Sequence, residues 1–256
     1  MKIVTWNVNS LKARQDYVAS YLDRVAPDVL CIQELKLEEE KIPREIFESR
    51  GYHLAIHAQR QWNGVLIASK SPIEATIAGL PSHDEGEARL VAAHTAGLWI
   101  VDVYVPQGQS VDSPKFPYKL KFLDGVLAFL SERFTPETPL VLLGDINVAP
   151  ADRDIYAPAE FLGVPSFHPD EHRRFQALLD WGLRDPVASR VAPGTYSFWD
   201  YRGGAFRFNQ GMRIDHVLVT APVDARVSSA FIARDERKKR GELPPSDHAP
   251  VGITLD

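Results

Sequence analysis

Cysteine occurs once in the 256 residues, at Cys31, which rules out an intrachain disulfide and suits a reducing cytoplasm. It lies in the apolar run Val29–Ile32 and reads as core rather than as a reactive thiol. No uninterrupted apolar run approaches the roughly 20 residues of a membrane-spanning helix. The start, MKIVTWNVN, reaches Trp6 and Asn7 too soon for the apolar region of a signal peptide, and the chain begins directly at what reads as its only domain. There is no P-loop and no GxGxxG, which argues against an enzyme built around a nucleotide cofactor. Positive charge is not in excess either. A formal net charge of -5 excludes nucleic-acid binding through overall charge, though not a local basic rim around an acidic centre. Arg173, Arg174, Arg202, Arg207 and Arg213 lie in the second half, and Arg234–Arg240 reads RDERKKR, equally a solvated turn or a phosphate contact. Linkers, repeats and low-complexity stretches are also missing, so residues 1–256 are expected to form one domain.

What is present is a series of short apolar runs that end in polar residues. Lys2 to Trp6 alternates as a strand, followed by Asn7 and Asn9. Leu11, Tyr17, Val18, Tyr21, Leu22 and Val25 repeat at helical spacing until Pro27. Asp28 to Gln33 returns as a strand and meets Glu34. From Gly51 to Leu143 strands are expected at His53–His57, Gly64–Ser69, Leu90–His94 and Leu98–Val105, with connections short enough for hairpins. Leu120 to Phe134 repeats as a second long helix. Leu140–Leu143 is a buried strand that Gly144 breaks ahead of Asp145 and Asn147. A third helix is expected from about Glu171 to Leu183, a strand within NQGMRIDHVLV, and a closing strand after Ser246-Asp247-His248. The pattern predicts an α/β fold: a four-layer sandwich of two mixed, mainly antiparallel sheets with helices outside.

Asn7, Glu34, Tyr104, Asp145, Asp215 and the pair Asp247-His248 all fall at strand ends or just before a strand. A lone Asp in such a place commonly caps a turn, and a lone His is commonly structural. Together they describe a shared rim. A carboxylate and a carboxamide two residues apart, Asp145 and Asn147, can hold one water against one phosphate oxygen. A histidine among carboxylates is held protonated near neutral pH and suits an anionic substrate. The oxygen-rich inventory favours Mg²⁺ or Mn²⁺ over zinc, and phosphoryl transfer uses these parts.

The ordered set WNVN (Trp6–Asn9), QELK (Gln33–Lys36), NGV (Asn63–Val65), YVPQG (Tyr104–Gly108), KFPYK (Lys115–Lys119), GDINVAP (Gly144–Pro150), WDYR (Trp199–Arg202), GMRID (Gly211–Asp215) and SDHAP (Ser246–Pro250) resembles the exonuclease III family of abasic-site endonucleases. The likeness spans essentially the whole chain and implies the DNase I-like form of the sandwich. It implies Glu34 as main metal ligand, with Asn7 beside it on the metal side. Asp145 aligns or deprotonates the attacking water and Asn147 helps to hold it. His248 contacts the scissile phosphate with Asp215 as its partner, Asp247 is an acid near the metal or the leaving group, and Tyr104 touches the phosphate. Gln107 and Asn209 are phosphate-side groups, Lys119 a DNA contact, and Phe198, Trp199, Met212 and Ile214 the apolar walls receiving a flipped abasic sugar. For Ile214 simple core is the competing reading.

The reaction implied is Mg²⁺-dependent cleavage of duplex DNA 5′ to an abasic site, leaving a 3′-hydroxyl, with trimming of blocked 3′ ends and Mn²⁺ as a substitute ion. The protein is expected to act as a monomer without a membrane. One competing reading places 3′-phosphatase or 3′-exonuclease activity first; another is a non-catalytic nucleic-acid-binding regulator, which should have lost Glu34, Asp145, Asn147 or His248. Three departures from relatives stand out: Asn9 where some carry Asp, Met212 where some carry a larger aromatic, and QSVDSPKF after Gly108 without a wedge arginine. Ser166, small, is expected to leave room for the abasic nucleotide.

Overall fold

The structure, a computed structural model, describes residues 1–80, 86–240 and 242–256. Strand β1 (Lys2–Asn7) shows how side-chain alternation builds the layers: Ile3 enters the space between two sheets, whereas Val4 and Trp6 face outward onto α1 (Leu11–Val25). Helix α1 turns Tyr17, Val18, Tyr21 and Leu22 onto that surface. It stops where Ala26 adopts a left-handed conformation ahead of Pro27. Strand β2 (Val29–Gln33) follows, parallel to β1. A short helix α2 (Glu45–Glu48) leads to the hairpin of β3 (His53–His57) and β4 (Val65–Ser69).

The second sheet begins with β5 (Ile73–Ala78), β6 (Leu90–Thr95) and β7 (Leu98–Tyr104). Helix α3 (Lys115–Arg133) crosses over to β8 (Leu140–Asp145), parallel to β7. Helices α4 (Pro158–Phe161), α5 (Pro169–Asp180), α6 (Pro186–Arg190) and α7 (Ala205–Phe208) precede β9 (Asp215–Val219), and α8 (Ala221–Asp224) leads to β10 (Val227–Ile232) and β11 (Val251–Leu255). The sheet orders are β10-β11-β1-β2-β4-β3 and β5-β6-β7-β8-β9. Each has one parallel pair, a strand–helix–strand crossover, among antiparallel neighbours.

Three apolar layers separate these elements. Ile3, Cys31, Ile67, Ile100, Val141 and Val217 fill the space between the sheets. Leu30 and Leu66 pack under Tyr21 and Leu22 of α1. Leu142 and Leu218 pack under Phe122 and Val126 of α3 and Phe175 of α5. This is the expected four-layer sandwich, and Cys31 is core as expected. Among the described residues no helix is long and apolar enough to cross a membrane.

The differences from expectation have local causes. Strands β5 and β10 are edge strands whose side chains are mostly exposed or half-buried, and their sequences, IEATIA and VSSAFI, carry no strict alternation. Gly144 does not end β8; it lies inside it at φ 138, because a Cβ there would stand 1.9 Å from the Val103 carbonyl oxygen. In NQGMRIDHVLV only Asp215–Val219 is strand. The RDERKKR turn is not uniformly solvated: Glu236 and Arg237 are buried, and Arg237 donates to the carbonyls of Ser246 and Trp199.

One consequence of period two organises the rest. Positions 3, 5 and 7 of β1, 100, 102 and 104 of β7, 141, 143 and 145 of β8, and 215, 217 and 219 of β9 share the inter-sheet face. The deep positions are mostly apolar, and the last position at one edge is Asn7, Tyr104, Asp145 or Asp215. Just beneath lies a polar step: buried Gln33 donates through Nε2 to Thr5 Oγ1 (2.8 Å) and Asp102 Oδ1 (2.6 Å). Burial pushes the Asp102 carboxyl well above the usual range.

Candidate active site

The edge of the inter-sheet space gathers most of the expected catalytic residues. Tyr104 pairs in register with Asp145, and Asp145 with Asp215 across the antiparallel neighbour. Asn7 reaches across from the other sheet, its amide nitrogen donating to Glu34 Oε1 and to Asp145 Oδ2, both at 2.8 Å. Its own Oδ1 accepts the Asn9 backbone N–H at 2.9 Å, which fixes the amide orientation. Asn7 therefore presents a donor, not an oxygen ligand, to the metal side, and holds two carboxylates apart. Glu34 lies one residue past β2 with φ 60, a left-handed turn that carries its side chain toward Asn7.

His248 completes the cluster. Its Nδ1 lies 2.9 and 3.1 Å from the two oxygens of Asp215 and its Nε2 3.8 Å from Asp145 Oδ2. Burial opposes the imidazolium, but the charges of Asp215 and Asp145 and the bond to Asp215 outweigh it, and the His248 pKa is pushed up to about 10. Burial, with Asp215 and Glu34 adding and His248 and Asn7 opposing, pushes the Asp145 carboxyl up to about 7. That places Asp145 where it can accept a proton near neutral pH. The Tyr104 hydroxyl is pushed well above its usual value by burial and by the charges of Glu34 and Asp145, so it remains a donor. The Arg89 guanidinium covers its ring at 4.8 Å.

Asn147, two residues past Asp145, is 5% exposed and left-handed at φ 56. Its amide nitrogen donates to the Val105 carbonyl at 2.9 Å and its backbone N–H to Asp145 Oδ1 at 3.0 Å, which leaves the side-chain oxygen to accept from a water. Asp247 accepts from Asn9 Nδ2 at 3.1 Å. Lys36 bonds Glu34 Oε2 and Asn9 Oδ1, both at 2.7 Å. Despite the burial of Glu34, Lys36 and Asn7 hold its carboxyl below its usual value. Asn9 thus links Asp247 to the Glu34 side.

Donor atoms of Asp145, Asp215 and His248 lie within 4.8 Å of one another, but a protonated imidazole committed to Asp215 cannot ligate a cation. The carboxylates of Glu34, Asp145 and Asp247 provide hard oxygen donors, and Lys36 on Glu34 shows that the site already balances a positive charge. This donor set fits a divalent cation bound through few carboxylates.

The expected DNA-side residues divide. Phe198 and Met212 are half-buried and line one cleft with Tyr156, Phe161 and Arg202. Phe198 also packs on the His248 ring, centroids 4.9 Å apart, so this cleft adjoins His248. Ile214 is core, packed with Ala149, Ile155 and Phe167. Trp199 is fully buried and cannot form a wall; its indole N–H donates to Asn209 Oδ1 at 3.2 Å. Asn209 is exposed, but its carboxamide is committed to Trp199 and the Gly194 carbonyl. Gln107 is exposed on the turn after β7. Ser166 is 4% exposed at φ 76, in the loop that packs Phe167 under the cleft.

Lys119 is the clearest correction. It is fully buried and its Nζ meets Glu171 Oε1 at 2.5 Å, so a direct DNA contact is impossible. Sequence reasoning did not single out Glu171 or the anchoring role of Arg213. The run His168-Pro169-Asp170-Glu171, with Pro at the first helical position and Glu at the third, was a capping-box signal for Glu171. Arg213 stands next to the site strand but gave no periodic signal.

The geometry has counterparts among known proteins. The model of the endonuclease/exonuclease/phosphatase family matches residues 4–248. The exodeoxyribonuclease III of Haemophilus influenzae is 34% identical over 265 residues, covering 98% of each chain. Two solved structures superpose with a TM-score of 0.94: a 3′-phosphatase from Neisseria bound to a product DNA hairpin, 38% identical, and an AP endonuclease from Archaeoglobus fulgidus, 34% identical. Each alignment covers 100% of this chain and 99% of the other. With edge, cleft and matches in agreement, the chain belongs to the endonuclease/exonuclease/phosphatase family, in its exonuclease III branch.

Proposed function

We propose that this protein is a Mg²⁺-dependent DNA repair phosphodiesterase that cuts the backbone 5′ to abasic sites, leaves a 3′-hydroxyl, and trims blocked 3′ ends. The observation that carries this reading is the juxtaposition of a charged His248, a basic Asp145 and the half-buried apolar Phe198–Met212 cleft. Such a cleft receives a sugar without a base, and a missing base lowers the cost of leaving the stack.

Asp145 and Asn147 hold a water, whose oxygen forms a bond to phosphorus while its proton passes to Asp145. The P–O3′ bond breaks and the departing 3′ oxygen takes a proton from a solvent water, which completes the 3′-hydroxyl. His248, kept charged by Asp215, and the Tyr104 hydroxyl stabilise the negative charge that grows on the nonbridging oxygens. Mg²⁺, with Mn²⁺ as a substitute, would be held at Glu34 with Asp247 and would supply further charge neutralisation. Residues 1–256 act as one unit, as a cytoplasmic monomer on damaged duplex DNA.

The likeness to a 3′-phosphatase supports the second reading, in which end processing dominates. A Mg²⁺-dependent assay on two duplexes tests both, one with an internal abasic analogue and one ending in a 3′-phosphate, with Asp145→Ala as the blank. Internal incision lost in the variant supports abasic-site cleavage. Removal of the 3′-phosphate without incision moves the assignment to end processing, and Ser166→His tests the pocket: normal cutting of abasic duplex by that variant refutes the role of a small residue there.

A further inference from the structure

Three separate loops lie near the end of β8: the Gln107 turn after β7, the Asn147 loop after β8, and the Ser166–His168 loop before α5. All three converge on one fully buried ion pair. Lys119 Nζ, on the first turns of α3, contacts Glu171 Oε1 (2.5 Å), the Asn147 carbonyl (2.7 Å) and the Gln107 carbonyl (3.2 Å). Glu171, in the first turn of α5, accepts the backbone N–H of Ser166 on Oε1 and of His168 on Oε2, both at 3.1 Å. The loops are also cross-linked: the Ala149 N–H donates to the Ser166 carbonyl at 2.8 Å and Asn147 Nδ2 to the Val105 carbonyl at 2.9 Å. Neither charged group reaches solvent.

We propose that Lys119 and Glu171 are positioning residues, a single buried anchor that fixes the backbone of Asn147 and so aligns the attacking water, while tying that alignment to the loop beneath the apolar cleft. This rests on the phosphodiesterase reading above. The ammonium has three donors and three oxygen partners, and the carboxylate holds the two amides that open the α5 loop. A buried charge pair of this kind defines one arrangement of its neighbours, because any displacement of a loop leaves a charge or a carbonyl unpaired in a dry environment.

Removal of Lys119 alone would leave a buried carboxylate, so the test uses the neutral pair Lys119→Met/Glu171→Gln. Methionine follows the lysine stem, and glutamine keeps one acceptor oxygen, for either the Ser166 or the His168 amide. The expected result is cooperative unfolding, kcat for abasic-duplex incision reduced on the order of a hundredfold, and KM within about threefold of wild type. Amide exchange should accelerate at Ala149, whose N–H donates to the Ser166 carbonyl. In an Asn147→Ala background the pair substitution should produce no further loss of kcat, because Lys119 acts through Asn147. Unchanged kcat in the folded variant overturns the proposal, as does a full multiplicative loss on top of Asn147→Ala. Should the wild type cut neither duplex, the phosphodiesterase reading fails, and amide exchange alone decides the anchor: unchanged protection in the pair variant overturns it.

Discussion

Two buried histidines lie on either side of one strand and carry opposite charge states. His248 faces the inter-sheet edge between Asp215 and Asp145. His216 follows Asp215 in β9 and therefore points to the opposite layer, against the ring of Phe175. Its Nδ1 lies 3.0 Å from Arg213 Nη1 and its Nε2 2.8 Å from the Val148 carbonyl. Arginine can only donate and a carbonyl can only accept, so Nδ1 is the acceptor, Nε2 carries the hydrogen, and His216 is neutral. The charge in that cluster is Arg213, bidentate on Asp154 at 2.7 and 3.1 Å and bound to Asp185 at 2.7 Å. Burial does not choose the charge of a histidine here; its partner does, an arginine in one case and carboxylates in the other. The Arg213 cluster holds the Val148 carbonyl in place, and the His248 cluster keeps a positive charge beside Asp145.

The largest expected effect separates the two by chemistry. His248→Gln removes a cation that no neighbour replaces, and kcat for abasic-duplex incision should fall on the order of 10³ in protein that retains its circular dichroism. Arg213→Met tests the other cluster through stability: Asp154 and Asp185 are left buried without their cation, at a cost of about 3–5 kcal/mol, read from urea unfolding. Incision per folded molecule should change by less than about tenfold, and a loss as deep as that of His248→Gln would erase the distinction.

Opposite ends of the pH scale should break the two clusters. The His248 pKa is about 10 in the folded protein, above about 6.5 in an unfolded chain. Its contribution to stability is complete below about 6.5 and is lost as pH rises through 10. Burial opposes the Asp185 carboxylate, but the Arg213 guanidinium and the Ala188 backbone N–H hold its pKa well below the usual carboxylate range. Its contribution is present above about 3.9 and is lost as pH falls through the folded value. Urea midpoints from pH 3 to 10 should therefore decline at both ends, with His248→Gln flattening the alkaline limb and Asp185→Asn the acid limb. Exchanged effects would reverse the assignment. The smallest expected change is for His216→Gln, one neutral donor for another, at about 1–2 kcal/mol with kcat nearly unchanged.

Sequence alone revealed most of the sandwich, because β1, β2, β4, β6, β7 and β8 are apolar runs and α1 and α3 repeat at helical spacing. It also marked Asp145, Glu34, Tyr104, Asp215 and His248, since each stands at the end of an apolar run or just ahead of one. The edge strands β5 and β10 escaped because half their side chains face water and need no pattern. The fates of Lys119, Trp199 and Arg213 escaped for another reason. Whether a charged or aromatic residue points to solvent or to a protein partner 10 to 59 positions away is decided by tertiary contacts that composition does not encode. Lys119 read as a DNA contact through the family resemblance, and its burial against Glu171 shows otherwise.

The shared parity of Asn7, Tyr104, Asp145 and Asp215 has a bearing on how the molecule tolerates change in length. Insertion into the connecting loops leaves each strand's alternation intact and so leaves the cluster facing inward. Deletion of one residue within β8, upstream of Asp145, would rotate that carboxylate into the helix-facing layer and bring an apolar neighbour to the edge in its place. Diversity in substrate preference is therefore accessible through the lengths of the loops, whereas the chemistry is guarded by counting: the strands that carry it can be substituted but not shortened.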